Sequence, residues 1–184
     1  MSPPLTMEAA AALAGGHCWI ERRLFELLGR WSALTDHPAA TLALDRHAQH
    51  AAWRAEQWWD RLPVLAQLDR NSLVDPGRSW RALLVDPASE ASPAGDGASV
   101  EGGIGRLAVA YRVLLPRLVV AYDRHARLAT PVADGPVIRT LGHVRPDAMA
   151  DWAEGEAVLQ DLLTTGEGAA AAAAAAGAER LLLA

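Results

Sequence analysis

The sequence predicts an all-α protein, an antiparallel four-helix bundle in which two helical hairpins are joined by a long crossover. Four segments carry apolar residues at the three- and four-residue spacing of an amphipathic helix. A stretch rich in Pro, Ser, Gly and Asp separates the second segment from the third, and such composition is typical of a solvated loop. The chain has 184 residues, enough for one domain with a substantial core. We expect this domain to span residues 1–168.

The first hairpin is predicted from helical periodicity over residues 7–34 and 38–68. The short connection at Asp36 and Pro38 makes these two helices antiparallel neighbours. Residues 86–103 then form the flexible crossover to the second hairpin. Long crossovers of this kind occur in one class of four-helix bundles.

The polar residues of the first hairpin divide between the core and the surface when successive residues are placed about 100° apart. His17 and Glu21 lie on the apolar stripe of the first helix, where an internal hydrogen bond or an ion pair with an arginine is the simplest role. His47 lies at the flank of the second helix's apolar face, and His50 turns further away. Trp53 lies opposite that face, so either it is an isolated exposed tryptophan or the crossover, the tail or a second subunit covers it.

The second hairpin is predicted from helices at residues 104–129 and 146–165, with a short helical piece at 134–143. On the first of these helices, Tyr111 and Tyr122 share the apolar face. His125 falls in the middle of that face, and we therefore expect it to be buried, either as a hydrogen-bonded core histidine or as a ligand.

The last helix of this hairpin carries an acidic stripe. Asp147, Asp151 and Glu154 share a face at helical spacing. Pro146 suits the first position of a helix, and acids in a first turn favour the helix dipole, so Asp147 is interpreted as an N-terminal residue. Asp151 and Glu154 lie beyond the first turn and remain candidate metal ligands. The Ala-rich tail at residues 169–184 has little to bury except its last leucines, and we expect it to be poorly ordered or to dock late.

Composition narrows the class of protein. The net charge of −5 disfavours a nucleic-acid partner, and the most hydrophobic run is interrupted by Arg112 and Arg117, which argues against a membrane span. Cys18 is the single cysteine, so an internal disulfide is excluded and a reducing compartment fits best. The N-terminal stretch lacks the basic region of a secretory signal. We therefore expect a cytoplasmic protein.

The chain also resembles a known family. Its second hairpin, with Asp134-Gly-Pro-Val-Ile-Arg-Thr-Leu followed by Asp147-Ala-Met-Ala-Asp151-Trp-Ala-Glu-Gly-Glu156, resembles the last helices of ferritin-like, rubrerythrin-type dimetal proteins. Glu21 and then His47-Ala-Gln-His50 look like the other half. In that family, each half supplies a Glu and then a Glu-x-x-His turn, and together they hold two metal ions. The resemblance covers residues 13–165.

The resemblance implies a degenerate dimetal site. His47 stands where the family has Glu, and His50 takes the histidine place. In the second half, His125 or Asp123 stands nearest to the third-helix Glu. The fourth helix has Ala148 and Asp151 where the family has Glu and His. Two ferrous or manganese ions need several carboxylates, so this set could hold one ion at most.

Three functions follow from these residues, and whether the chain is an enzyme stays open. The first is a non-catalytic bundle that acts through protein contacts, as a homo-oligomer or with another protein, with Trp53 at the interface. The second is an iron- or manganese-dependent oxidoreductase or oxygenase. The third is a metal-free binder of small molecules with a pocket at His17, Tyr111 and Tyr122. The candidate ligands for the second function are Glu21, His47, His50, His125, Asp151 and Glu154.

Overall fold

A computed structural model describes residues 5–76, 80–81, 84, 102–163 and 168–183 of the chain. Within these ranges the fold is all-helical, which confirms the predicted class. The helices are α1 (Met7–Ala33), α2 (Pro38–Trp59), α3 (Gly102–Val109, a π-helical turn at Ala110–Leu114, then Leu115–Leu128), α4 (Gly135–Leu162) and α5 (Gly168–Leu183).

The connection from Trp59 at the end of α2 to Gly102 at the start of α3 is long, and its described part is largely irregular. It contains a 3₁₀ turn at Arg70–Leu73, an isolated bridge between Leu65 and Leu68, and helical residues at 80, 81 and 84. The described ranges contain no strand. Of the predicted crossover, residues 86–101 lie outside the described residues. Gly102 already belongs to α3.

The first hairpin has the predicted order but a shorter second helix. Thr6 caps α1, because its Oγ1 accepts a hydrogen bond of 3.1 Å from the backbone N–H of Ala9. Helix α2 begins at Pro38 and ends at Trp59, well before the predicted end at residue 68. Pro63 explains the difference, since its ring and missing N–H prevent the helix from continuing through the preceding turn.

Helix α4 corrects the prediction that a helix starts at Pro146. The predicted pieces at 134–143 and 146–165 form one helix, and Pro146 lies inside it. Proline frees the carbonyl four residues earlier, at Gly142, but both residues are exposed and water can satisfy that group. Asp147 is therefore in the middle of a helix, and its interpretation as an N-terminal capping residue is wrong.

The Ala-rich tail, expected either to be poorly ordered or to dock late, forms α5 and packs against the beginning of α3. Its Ala171 and Ala178 are buried, because side chains this small allow the helices to approach closely. Arg117 of α3 also pairs with Glu179. Periodicity could not reveal this docking, since a stretch made almost entirely of alanine has no distinct apolar face.

The helices pack as neighbours in the order α1, α2, α4, α3 and α5. Gly155 of α4 permits one close approach: a Cβ at this position would lie 2.0 Å from Cε1 of Tyr111 on α3. None of the described helices combines the length and the apolar character needed to cross a membrane. The largest fully buried side chains are Trp31, Trp58, Arg54, Tyr111, Tyr122, Leu24, Leu28, Leu44, Leu107, Leu114 and Leu115.

Candidate functional site

Helices α1 to α4 surround one group of buried polar side chains, here called the interior polar cluster. None of its members is more than 4 % exposed, so each polar atom needs a partner inside the protein. The cluster consists of His17 and Glu21 from α1, His47 and Arg54 from α2, Tyr111, Tyr122 and His125 from α3, and Asp151 from α4.

The guanidinium of Arg54 lies at the centre of the carboxylates. Its Nε donates to Oε1 of Glu21 at 2.7 Å. Its Nη1 donates to Oδ2 of Asp147 and to Oδ2 of Asp151, both at 2.6 Å. Burial alone would lower the pKa of Arg54, but Glu21 leads a set of neighbours that raise it, so the side chain is firmly charged. One cation thus connects α2 with α1 and α4.

Glu21 is held from a second side by aromatic residues. The hydroxyl of Tyr122 donates to the same Oε1 that Arg54 contacts, and Nε1 of Trp58 donates to that hydroxyl at 3.0 Å. Burial raises the pKa of Glu21, and the charge and hydrogen bond of Arg54 oppose that rise. Burial, followed by the charge of Glu21, raises the pKa of Tyr122 well above its ordinary value, so this phenol stays a donor.

Two histidines form a separate pair beside this network. Nε2 of His17 lies 3.1 Å from Nδ1 of His125, so one ring donates a hydrogen bond and the other accepts it. Trp58 packs against both rings, with centroids 4.6 and 5.6 Å away. Burial, aided by His125, lowers the pKa of His17 to about 3, and burial also lowers the pKa of His125. Both rings are therefore neutral near pH 7.

His47 faces the π-helical turn of α3. Its Nδ1 lies 2.9 Å from the hydroxyl of Tyr111, and its Nε2 lies 3.5 Å from Oε2 of Glu154 and 3.6 Å from Oδ1 of Asp151. Burial lowers the pKa of His47 to about 4 and outweighs the opposing effect of Asp151. Burial likewise raises the pKa of Tyr111. Neutral His47 can accept from Tyr111 through Nδ1 and donate from Nε2.

A second group, here called the rim site, lies where α2 and α4 meet the solvent. It consists of His50, Asp147 and Asp151, and each residue offers one ligand atom within 4.8 Å of the others. Nδ1 of His50 lies 2.7 Å from Oδ1 of Asp151. The side chains of His50 and Asp147 are 39 % and 31 % exposed, whereas that of Asp151 is 3 % exposed. An ion could therefore enter from the solvent.

The interior polar cluster does not fit the two metal ions of the ferritin-like family. The carboxylates of Glu21 and Asp151, which would have to hold such ions, are already bonded to the guanidinium of Arg54. A dication beside that guanidinium would be repelled inside a poorly solvated interior. Of the predicted ligands, His125 bonds to His17 rather than to a carboxylate. The sixth candidate, Glu154, is exposed and pairs with Arg46.

The sequence pattern predicted several of the buried polar residues but not the central one, Arg54. Glu21, His47 and Asp151 were predicted candidates, and they lie close together. Arg54 was not among the predicted site residues, although it follows His50 by four residues on the same side of α2. An arginine between Ala51 and Ala55, on a helix face rich in alanine, is the signal that could have indicated it.

The predicted small-molecule pocket is closed where it was expected. His17, Tyr111 and Tyr122 are buried and bonded to neighbouring side chains. A cavity of about 970 Å³ instead lies between the beginning of α1 and residues 63–76. Its walls are mainly apolar and include Leu13. The predicted interface residue Trp53 is 41 % exposed on the described surface.

No protein-family model, curated protein or solved structure matches the chain. A functional assignment therefore rests on the geometry of the site.

Proposed function

We propose that this chain is a non-catalytic helical bundle of ferritin-like arrangement that acts through protein contacts, as a homo-oligomer or with another protein. The observation that carries the proposal is the guanidinium of Arg54, which donates hydrogen bonds to the carboxylates of Glu21, Asp147 and Asp151. In a dimetal protein, the carboxylates of the interior balance the charge of metal ions. Here a fixed side-chain cation lies among the carboxylates and offsets part of their negative charge.

A guanidinium suits this structural role and not a redox role. It presents donors in a rigid fork, it holds its charge at all working pH values, and it cannot change oxidation state. Buried polar networks of this kind are costly when one partner is missing, so they favour one arrangement of the helices. The alternative of an iron- or manganese-dependent oxidoreductase would place a metal ion in the interior, between the carboxylates of Glu21 and Asp151 and against the buried guanidinium that contacts both.

The outer face of α2 supports an interaction role. Leu42 is 69 % exposed and Trp53 is 41 % exposed, and the two residues lie three helical turns apart on one side of the helix. Met149 of the neighbouring helix α4 is also exposed. Large apolar side chains cost free energy in water, and tryptophan and methionine are enriched where proteins associate. We therefore assign the interface to this face.

Light scattering on the purified full-length chain over a dilution series tests the proposal. We expect an oligomer that dissociates on dilution, and a Trp53→Ser variant that dissociates at a higher concentration. Phe25→Ser is the matched control, because Phe25 is an aromatic residue of similar exposure on α1. A chain that is monomeric at every concentration and captures no protein partner through Trp53 contradicts the proposal.

The cavity of about 970 Å³ favours one second candidate, a metal-free binder of small apolar molecules. Its volume falls in the range of natural ligand sites, and its walls include Leu13 and Leu73. Titration with an apolar fluorescent dye tests this function. We expect saturable binding that a Leu73→Trp variant blocks by filling the cavity, while Phe25→Trp, on another face, leaves it intact. Equal binding to both variants rules this function out.

A further inference from the structure

We propose that the rim site, formed by His50, Asp147 and Asp151, binds one divalent cation such as Zn²⁺ and thereby links α2 to α4. This goes beyond the proposed function, because a single ion at the rim needs no reaction. Of the interior polar cluster, the ion would engage Asp151 alone, through the Oδ1 atom that faces His50. It also differs from the dimetal centre that the sequence resemblance implied, since Glu21 and His125 take no part.

The spacing of the rim site suits one ion. Its ligand atoms lie within 4.8 Å of one another. Bonds of about 2.0–2.2 Å to a common ion place ligand atoms roughly 3–4 Å apart, so small side-chain rotations suffice. The closest pair, Nδ1 of His50 and Oδ1 of Asp151 at 2.7 Å, has to separate by about 0.3–1.3 Å for an ion to enter between them.

Arg54 orients the two aspartate carboxylates of the rim site by contacting one oxygen of each. It contacts Oδ2 of Asp147 and Oδ2 of Asp151. Oδ1 of Asp151 faces His50 instead. Groups that hold the outer atoms of a ligand in this way fix its orientation and strengthen metal binding. Arg54 thus acts as a support for the rim site while excluding metal from the interior.

The local charge favours a cation. Arg54 brings one positive charge to the carboxylates of Glu21, Asp147 and Asp151. Its single charge cannot balance the carboxylates that surround it, and a divalent ion at the rim would reduce the remaining repulsion between them. The second nearby guanidinium, that of Arg46, is paired with Glu154.

The donor set indicates the kind of ion. One imidazole nitrogen with two carboxylates suits Zn²⁺, which takes three protein ligands and completes its shell with water. Partial exposure of His50 and Asp147 leaves room for that water. Mg²⁺, which prefers six oxygen ligands and retains its hydration shell, is the weaker candidate. An ion that bridges two helices stabilises the folded state, because the unfolded chain lacks the assembled site.

Calorimetric titration of the metal-stripped, tag-free, full-length protein with zinc chloride tests the site. We expect one Zn²⁺ per chain, with affinity reduced by at least about tenfold in His50→Ala and in Asp147→Asn. His143→Ala is the matched control, since His143 is an exposed histidine of α4 outside the rim site, and it should bind like the unmodified chain. Magnesium chloride should produce much weaker binding.

Thermal unfolding provides a second readout. Zinc should raise the Tm of the unmodified chain and of His143→Ala, and at the same zinc concentration it should raise the Tm of a folded His50→Ala variant by less. Absence of zinc binding, or equal binding to His50→Ala and His143→Ala, overturns the proposal. A chain that binds no zinc but still associates refutes the rim site alone. A chain that binds zinc at the rim and never associates refutes the proposed function alone.

Discussion

Replacing Arg54 by methionine removes the central cation while keeping most of its aliphatic volume. The side chain of Arg54 is fully buried, and so is that of Glu21, while that of Asp151 is 3 % exposed. The variant would leave these carboxylates without their guanidinium in an interior that water does not reach. Removing one partner of a buried ion pair costs about 3–5 kcal/mol, since the remaining charge stays desolvated.

The loss in stability can be measured by thermal unfolding at pH 7, followed by tryptophan fluorescence. In a domain of this size each kcal/mol corresponds to about 2–4 °C in Tm, so we expect the Tm of Arg54→Met to fall by roughly 6–20 °C. The stability of the variant should recover partly as the pH falls. Burial raises the pKa of Glu21, and without the opposing charge of Arg54 this pKa lies further above its unfolded value, so protonation of Glu21 then favours the folded state.

Arg46→Met is the matched control for this experiment. Arg46 lies on the same helix and also pairs with a carboxylate, Glu154, but both side chains are about half exposed. Its removal should cost no more than about 1 kcal/mol. If Arg54→Met is no less stable than Arg46→Met, Arg54 does not organise the interior polar cluster and the reasoning fails.

Two further predictions concern the same interior. The pKa values of His17 and His47 are lowered to about 3 and about 4, so the unfolded chain binds more protons below its own histidine pKa of about 6.5. The free energy of unfolding should therefore fall between pH 7 and pH 5 by up to about 2 kcal/mol for each histidine, and urea unfolding at the two pH values measures this loss. The loss should be smaller in His47→Gln. No loss in the unmodified chain, or an equal loss in His47→Gln, would refute the burial of these histidines as neutral rings. Gly155→Ala should destabilise by about 1–3 kcal/mol, because its Cβ would lie 2.0 Å from the ring of Tyr111. Gly142→Ala on the same helix has open space and should be neutral or stabilising, so equal Tm values for these two glycine variants would contradict that packing.

The sequence was sufficient for the helical class because apolar periodicity reports burial on each helix directly. It was insufficient where two local signals conflicted. Pro146 was interpreted as the start of a helix, but exposed Gly142 and Pro146 allow α4 to pass through that position with solvent compensating the lost hydrogen bond. The α5 tail carried no periodicity, and only its packing against α3 shows that Ala171 and Ala178 are core residues.

The candidate site was predicted only in part, because the sequence of a helix indicates which residues face inward but not which residues they meet. Face assignments placed Glu21, Tyr122 and His125 inward, and all three are buried. Which partner each residue finds depends on the axial register between helices, and a single helix does not encode that register. Arg54 illustrates the limit: a periodicity analysis treats arginine as a surface residue, whereas its burial here is possible because carboxylates on two other helices meet it.

Elemental analysis of the tag-free protein, grown in medium supplemented with iron and manganese, tests the central claim most directly. That claim is that Arg54, and not a pair of metal ions, holds the carboxylates of the interior together. The account predicts no more than one divalent ion per chain, and the same content in a folded Glu21→Gln variant, because Glu21 is not a ligand. Two iron or manganese ions per chain, lost when Glu21 is replaced, would contradict it.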